Sequence, residues 1–146
     1  MRRADPTSTS SASSLPHPSI AERRMRAALL VLGAGHLALG LWQALSPGTF
    51  FRAFAAFGPR NDHYIRDVAT LYLALGLVLL AAVRRPSWRP PVLLFAVLQY
   101  GFHLINHVVD VADAHPGWIG PADVAALAVV EALLIYLAGA SRRPAR

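Results

Sequence analysis

The sequence contains no cysteine and no lysine. Without cysteine, disulfides, thiolate metal sites, iron–sulfur clusters and cysteine nucleophiles are all excluded. Charge is scarce as well: 15% of the 146 residues are charged, against about 25% in an ordinary soluble domain. The length allows one domain at most, which excludes a membrane region joined to a separate enzyme domain. What the chain has in abundance is hydrophobic residues, at 55%. All 14 basic residues are arginine, and against 8 acids they leave a net charge of +6. Such an excess fits nucleic acid binding, or a membrane protein whose arginines gather on one side, and the two separate by where the charges fall.

Residues 1–22 read as a disordered cytoplasmic tail, because a hydroxyl-rich run from Thr7 to Ser14 and the prolines Pro6, Pro16 and Pro18 offer almost nothing to bury. A charge-free stretch, AALLVLGAGHLALGLWQAL, then runs from Ala27 to Leu45. At about 1.5 Å per residue it covers roughly 28 Å, close to the ~30 Å hydrocarbon core of a bilayer. Further spans are expected over residues 65–83, 91–111 and 122–140, within a membrane domain of residues 23–143 and ahead of a short tail, 144–146. Asn61 or Asp62 suits the N-cap of the second span. Pro90–Pro91 suits the start of the third, where a missing N–H costs nothing. Windows 27–35 and 71–83 show no polar face at helical spacing, as a soluble helix would. The expected fold is therefore all-α, an integral membrane four-helix bundle.

The arginines orient it. Arg2, Arg3, Arg23, Arg24 and Arg26 precede the first span, Arg84, Arg85 and Arg89 lie between the second and third, and Arg142, Arg143 and Arg146 follow the fourth. Only Arg52, Arg60 and Arg66 fall on the other side. The positive-inside rule then puts both termini in the cytoplasm of a multi-pass cell-membrane protein. Arginines divided in this way form no nucleic-acid surface, so nucleic acid is not an expected partner; the bilayer is. A cleavable signal peptide fits poorly, since the apolar run is long and the small-x-small site Ala44-Leu45-Ser46 is followed by Pro47. Between the first two spans, Phe50, Phe54 and Phe57 recur at helical spacing with Arg52 off that face. This predicts a short interfacial helix, or equally a loop that packs its phenylalanines on the bundle.

Ionisable groups inside a membrane are costly unless paired, so they mark the place to look for function. The third span carries Gln99, His103, Asn106, His107 and Asp110 on one helical face. His36 in the first span, Arg66 and Asp67 at the start of the second, and Glu131 in the fourth are candidate partners at similar depth. Together these nine residues form the expected polar pocket in the outer half of the bundle. His103 and His107, one turn apart, can present two imidazoles to a metal with Asp110 or Glu131 as a third ligand. His36 and His103 can instead ligate a haem from both sides. The plain alternative is that these groups hydrogen-bond one another to hold helices together. Gly33 and Gly40, on one face of the first span, predict close approach of a neighbouring helix, and Gly76 and Gly101 can do the same.

From Gly33 to Val83 a pattern emerges: G-x-G-x-x-x-x-G in the first span, Ser46-Pro47, a phenylalanine-rich segment ending FAAFGP, and an acid beside a second span reading YLALGLVLL. This resembles the DoxX-like group of small four-helix membrane proteins. The resemblance implies a small four-span subunit or accessory protein, in some relatives linked to quinone-dependent sulfur oxidation or redox protection. It sets the group's acidic position at Asp67 and identifies no catalytic residue. Three functions follow as expectations. The first is a non-enzymatic accessory or scaffold subunit that associates with another membrane protein or with its own copies, since no complete catalytic signature is present. The second is a redox protein that binds metal, haem or quinone through the His103/His107 stripe. The third is a small transporter or proton relay.

Overall fold

The computed structural model describes residues 18–54 and 57–142. Residues 1–17 of the expected tail and residues 143–146 lie outside them. The described residues form five α-helices: α1 (Ile20–Leu45), α2 (Pro47–Phe54), α3 (Asp62–Arg84), α4 (Arg89–Val109) and α5 (Ile119–Ser141). A 3-10 turn, Pro86–Trp88, leads into α4. No strand occurs among the described residues, and one isolated antiparallel bridge joins Phe57 to Ala114.

Two of the four long helices, α1 and α3, begin at a side-chain cap. α1 starts at Ile20, so residues 20–22 of the expected tail are helical and the first span is preceded by nearly two turns of polar helix. The cause is Ser19, whose hydroxyl accepts from the Glu22 backbone N–H at 3.1 Å. Ser19-x-x-Glu22 is a capping signature that the hydropathy reading passed over. Asn61 caps α3, accepting from the Tyr64 N–H at 3.1 Å. The third span lies two residues earlier than expected: α4 runs from Arg89 to Val109 and leaves Asp110 and Val111 in the following turn. α5 begins at Ile119, ahead of the expected Ala122. α2 confirms a short helix between the first two spans, although Phe57 lies beyond its end and is not part of its face.

Four helices are long and apolar enough to cross a membrane: Ile20–Leu45, Asp62–Arg84, Pro86–Val109 with its leading turn, and Ile119–Ser141. Their mean hydropathies are 1.6, 1.8, 1.6 and 2.1. The outward surface agrees. Phe95, Leu98, Phe102, Ile105 and Val109 on α4 and Val129, Ile135 and Tyr136 on α5 are all exposed, an apolar exterior that suits lipid and would be a liability in water.

α1 packs most closely against α3 and α4 against α5, with α3 also meeting α4. One core of buried side chains joins all four long helices, with Leu29, Leu79, Leu93 and Leu134 fully buried at its centre. Between α1 and α3 the backbones nearly touch. A Cβ on Gly76 would sit 2.9 Å from the Gly33 carbonyl oxygen, and one on Gly33 would sit 3.1 Å from the Gly76 oxygen. Small residues allow this approach where lipid supplies no hydrophobic drive between helices. At the end where α1 begins and α5 finishes, Arg89 is only 6% exposed. Its guanidinium donates to both Glu22 carboxylate oxygens at 2.7 Å, and to the Ala82 and Val83 carbonyls at 3.2 Å. One arginine at the start of α4 therefore ties α1 and the end of α3 together.

Candidate functional site

At the opposite end, all five helices contribute to one cavity of about 460 Å³, within the ~300–1,000 Å³ usual for small-molecule sites. α1 supplies Leu39 and Gln43, α2 supplies Phe50, Phe51 and Phe54, and the following turn supplies Phe57, Pro59 and Asn61. α3 adds Tyr64, Ile65, Val68 and Tyr72. α4 and its end add Tyr100, His103, Asn106, His107 and Asp110, and α5 adds Asp123, Ala126, Leu127 and Val130.

α2 is held over this cavity by Trp42. Its indole N–H donates to the Thr49 hydroxyl at 2.7 Å, and its ring meets Phe50 and Phe54 edge-on at 5.7 and 5.6 Å. The Thr49 hydroxyl in turn donates to the Ser46 carbonyl at 2.9 Å. The Phe57–Ala114 bridge joins the turn after α2 to the turn between α4 and α5. The rim is thus fastened at two places.

The structure gathers His103, Asn106, His107 and Asp110 of the expected pocket on its wall. The two imidazole rings meet edge-on at 4.6 Å, and Phe57 lies edge-on to His107 at 5.0 Å. His36 sits one layer behind. Its Nδ1 lies 2.7 Å from the Leu32 carbonyl oxygen, which can only accept, so Nδ1–H is the donor. Nε2 is then the acceptor for the Tyr100 hydroxyl at 2.8 Å. With both nitrogens engaged and Tyr100 between it and the cavity, His36 is a buttress for the wall.

The remaining candidates lie elsewhere. Arg66 and Asp67 are exposed on the outside of α3, where Asp67 is 3.4 Å from His63 along the same helix. The inward face of α3 is set by Ile65, Ala69, Gly76 and Leu79, and positions 66 and 67 turn away from it by about 100° and 200°. Glu131 does not face His36 or His103. It lies against Gly101, whose added Cβ would stand 3.4 Å from Oε1, and its Oε2 is buried without a hydrogen-bond partner. Gln99 Oε1 is likewise buried and unpartnered, outside the cavity wall.

The expected metal ligands do not converge. Among the described residues no group of three His, Asp or Glu side chains is arranged to hold a metal ion. Asp110 lies past the end of α4 and is exposed. A haem held by His36 and His103 does not fit either, because both His36 nitrogens already have protein partners.

Other wall residues were not foreseen. Gln43 is 1% exposed, lines the cavity, and both of its amide atoms are buried without a partner. Asp123, expected only as a helix start, stands across from His107 with Oδ2 3.9 Å from Nδ1. That gap is too long for a hydrogen bond, and both atoms are buried and unpartnered. The signal for Asp123 was in the sequence, since Asp123 and Leu127 are one turn apart at the head of a helix whose other charged residue is Glu131. For Gln43, the signal was its position seven residues after His36, on the same face of α1.

A family profile, the Domain of unknown function (DUF4345), matches residues 24–139, and the chain belongs to that family. No curated protein and no solved structure matches the chain.

Proposed function

Since that family carries no assigned activity, we propose from the cavity itself that this is a cell-membrane binding protein. On this reading the four spans form a bundle with both termini cytoplasmic, and its outer half holds a small, largely apolar molecule. The observation that carries the reading is the cavity beneath α2, walled by aromatic rings yet provided with polar atoms on Gln43, His107 and Asp123 that the protein leaves unpaired. Buried polar atoms without partners are costly, at about 1–3 kcal/mol each. A bound molecule with a polar group offsets that cost, while its apolar body meets the phenylalanines.

An accessory subunit that docks through its helices would need an open small-residue face. Gly33 and Gly76 are spent on each other inside the chain, so that face is not available to an external partner. A neutral quinone-type ring and an apolar amine both belong to the class of ligand that the cavity accommodates. Metal and haem do not, for the reasons of geometry above.

Two measurements test the proposal. The cysteine-free chain permits single-cysteine labelling in intact cells: Thr49→Cys should react with a membrane-impermeant maleimide, and Ser141→Cys only after permeabilisation. The reverse pattern refutes the orientation. For the cavity, native mass spectrometry of the purified full chain against neutral, cationic and anionic small lipophiles should show 1:1 adducts with at least one class. Val68→Trp, which inserts an indole into the cavity, should abolish them while helical circular dichroism is retained. A panel without any 1:1 adduct refutes the reading.

A further inference from the structure

We infer that the ligand of this cavity is an amphipathic organic cation, an amine or quaternary ammonium on an apolar body; this rests on the cavity being a binding site. The argument starts from charge. The chain has 14 arginines and only 8 acids, yet the cavity wall holds two carboxylates, Asp110 and Asp123, and no arginine. The three arginines at this end of the protein all point elsewhere. Arg52 and Arg66 are exposed, and Arg60 is held by Asp62, with Nη2 donating to Oδ2 at 2.7 Å. An anionic ligand would therefore meet two carboxylates and no guanidinium.

The second observation is independent of the acids. Gln43 is almost completely buried, lines the cavity and leaves its amide oxygen and nitrogen unpaired. Its carbonyl oxygen offers an acceptor to an N–H donor, or the negative end of a dipole to a quaternary centre. The third is the wall itself. The phenylalanines of α2 and its following turn, with Tyr72 and Tyr100 opposite, present aromatic surfaces on several sides. Ring faces attract a cation within about 6 Å, most strongly where water is excluded. The carboxylates and the rings favour the same sign of charge, and Gln43 supplies an acceptor beside them, whereas a neutral ring would use only the aromatic surfaces. The imidazoles of His103 and His107 share the wall, so the assay is run at mildly alkaline pH.

The test uses probes of similar shape and different charge: benzyltrimethylammonium, its neutral carbon isostere neopentylbenzene, and phenylmethanesulfonate. Each is titrated by calorimetry into the full chain in zwitterionic lipid nanodiscs, with empty nanodiscs subtracted. The ammonium should bind at least tenfold more tightly than the isostere, and the sulfonate should not bind. Asp123→Asn should lose most of that preference while still binding the isostere, and Asp67→Asn, outside the cavity, should keep it. The wild-type comparison decides the sign of the charge whether or not the Asp123 variant folds. Equal affinity for ammonium and isostere, or stronger binding of the sulfonate, overturns this inference and leaves the cavity reading intact. Absence of binding by all three probes overturns both. An unchanged preference in a folded Asp123→Asn variant overturns the role of that carboxylate.

Discussion

Glu22→Ala removes the carboxylate from a largely buried ion pair and strands its partner. The Arg89 side chain is 8% exposed and that of Glu22 27%, with two N–O contacts of 2.7 Å between them. After truncation the guanidinium keeps only the Ala82 and Val83 carbonyls, each at 3.2 Å. Removing one partner of a buried pair typically costs about 3–5 kcal/mol, because the other charge is left uncompensated. Glu22 is partly reached by solvent, so the lower end, about 3 kcal/mol or roughly two orders of magnitude in the folding equilibrium, is expected. The Ser19 cap survives, since it uses the Glu22 backbone N–H.

Two companion variants isolate the cause. Arg26 also pairs with Glu22 at 2.7 Å, but its side chain is 48% exposed, and Arg26→Ala should cost only about 0.5 kcal/mol. The double variant Glu22→Ala/Arg89→Met, with no buried charge left, should be more stable than Glu22→Ala alone. The assay is equilibrium unfolding in mixed micelles with increasing dodecyl sulfate, followed by helical circular dichroism. If Glu22→Ala costs no more than Arg26→Ala, or if the double variant is the least stable of the set, the reasoning from stranded charge is refuted.

Gly76→Ala would place a Cβ 2.9 Å from the Gly33 carbonyl oxygen, a backbone atom with little room to yield. The expected loss is about 1–3 kcal/mol in the same unfolding assay, with Gly35→Ala, which meets nothing, as the neutral control. Tyr100→Phe leaves His36 Nε2 buried without its 2.8 Å partner and should destabilise by about 1 kcal/mol. Tyr136→Phe, on an exposed tyrosine of α5, should not, and equal effects would remove His36 from its place as a buttress.

The spans were legible because hydropathy and length are properties of consecutive residues, and each long helix satisfies the bilayer requirement by itself. Local caps were legible for the same reason, Asn61 being the case that was read and Ser19 the one that was passed over. On α4, His103, Asn106 and His107 share a face at helical spacing and line the cavity.

What the stripe faces was a different matter. Periodicity gives the angle of a side chain about its own helix axis, and says nothing of the direction from which a neighbouring helix arrives. Arg66 and Asp67 looked well placed by depth and proved to be a quarter and half turn away from the packed face of α3. Glu131 had the depth of His103 but lies against Gly101. Gln43 and Asp123 gained their importance only when α1 and α5 were docked, which leaves an amide and a carboxylate oxygen buried and unpartnered in the wall of one cavity. Glu22 falls within the expected tail and Arg89 among the orienting arginines, 67 positions apart, and nothing in the sequence pairs them. The sequence by itself thus determined that there are four apolar helices and which residues interrupt them. Tertiary structure decided which interruptions are paired, which are open to lipid and which surround a cavity, because those depend on relative helix rotation, a quantity that no single segment encodes.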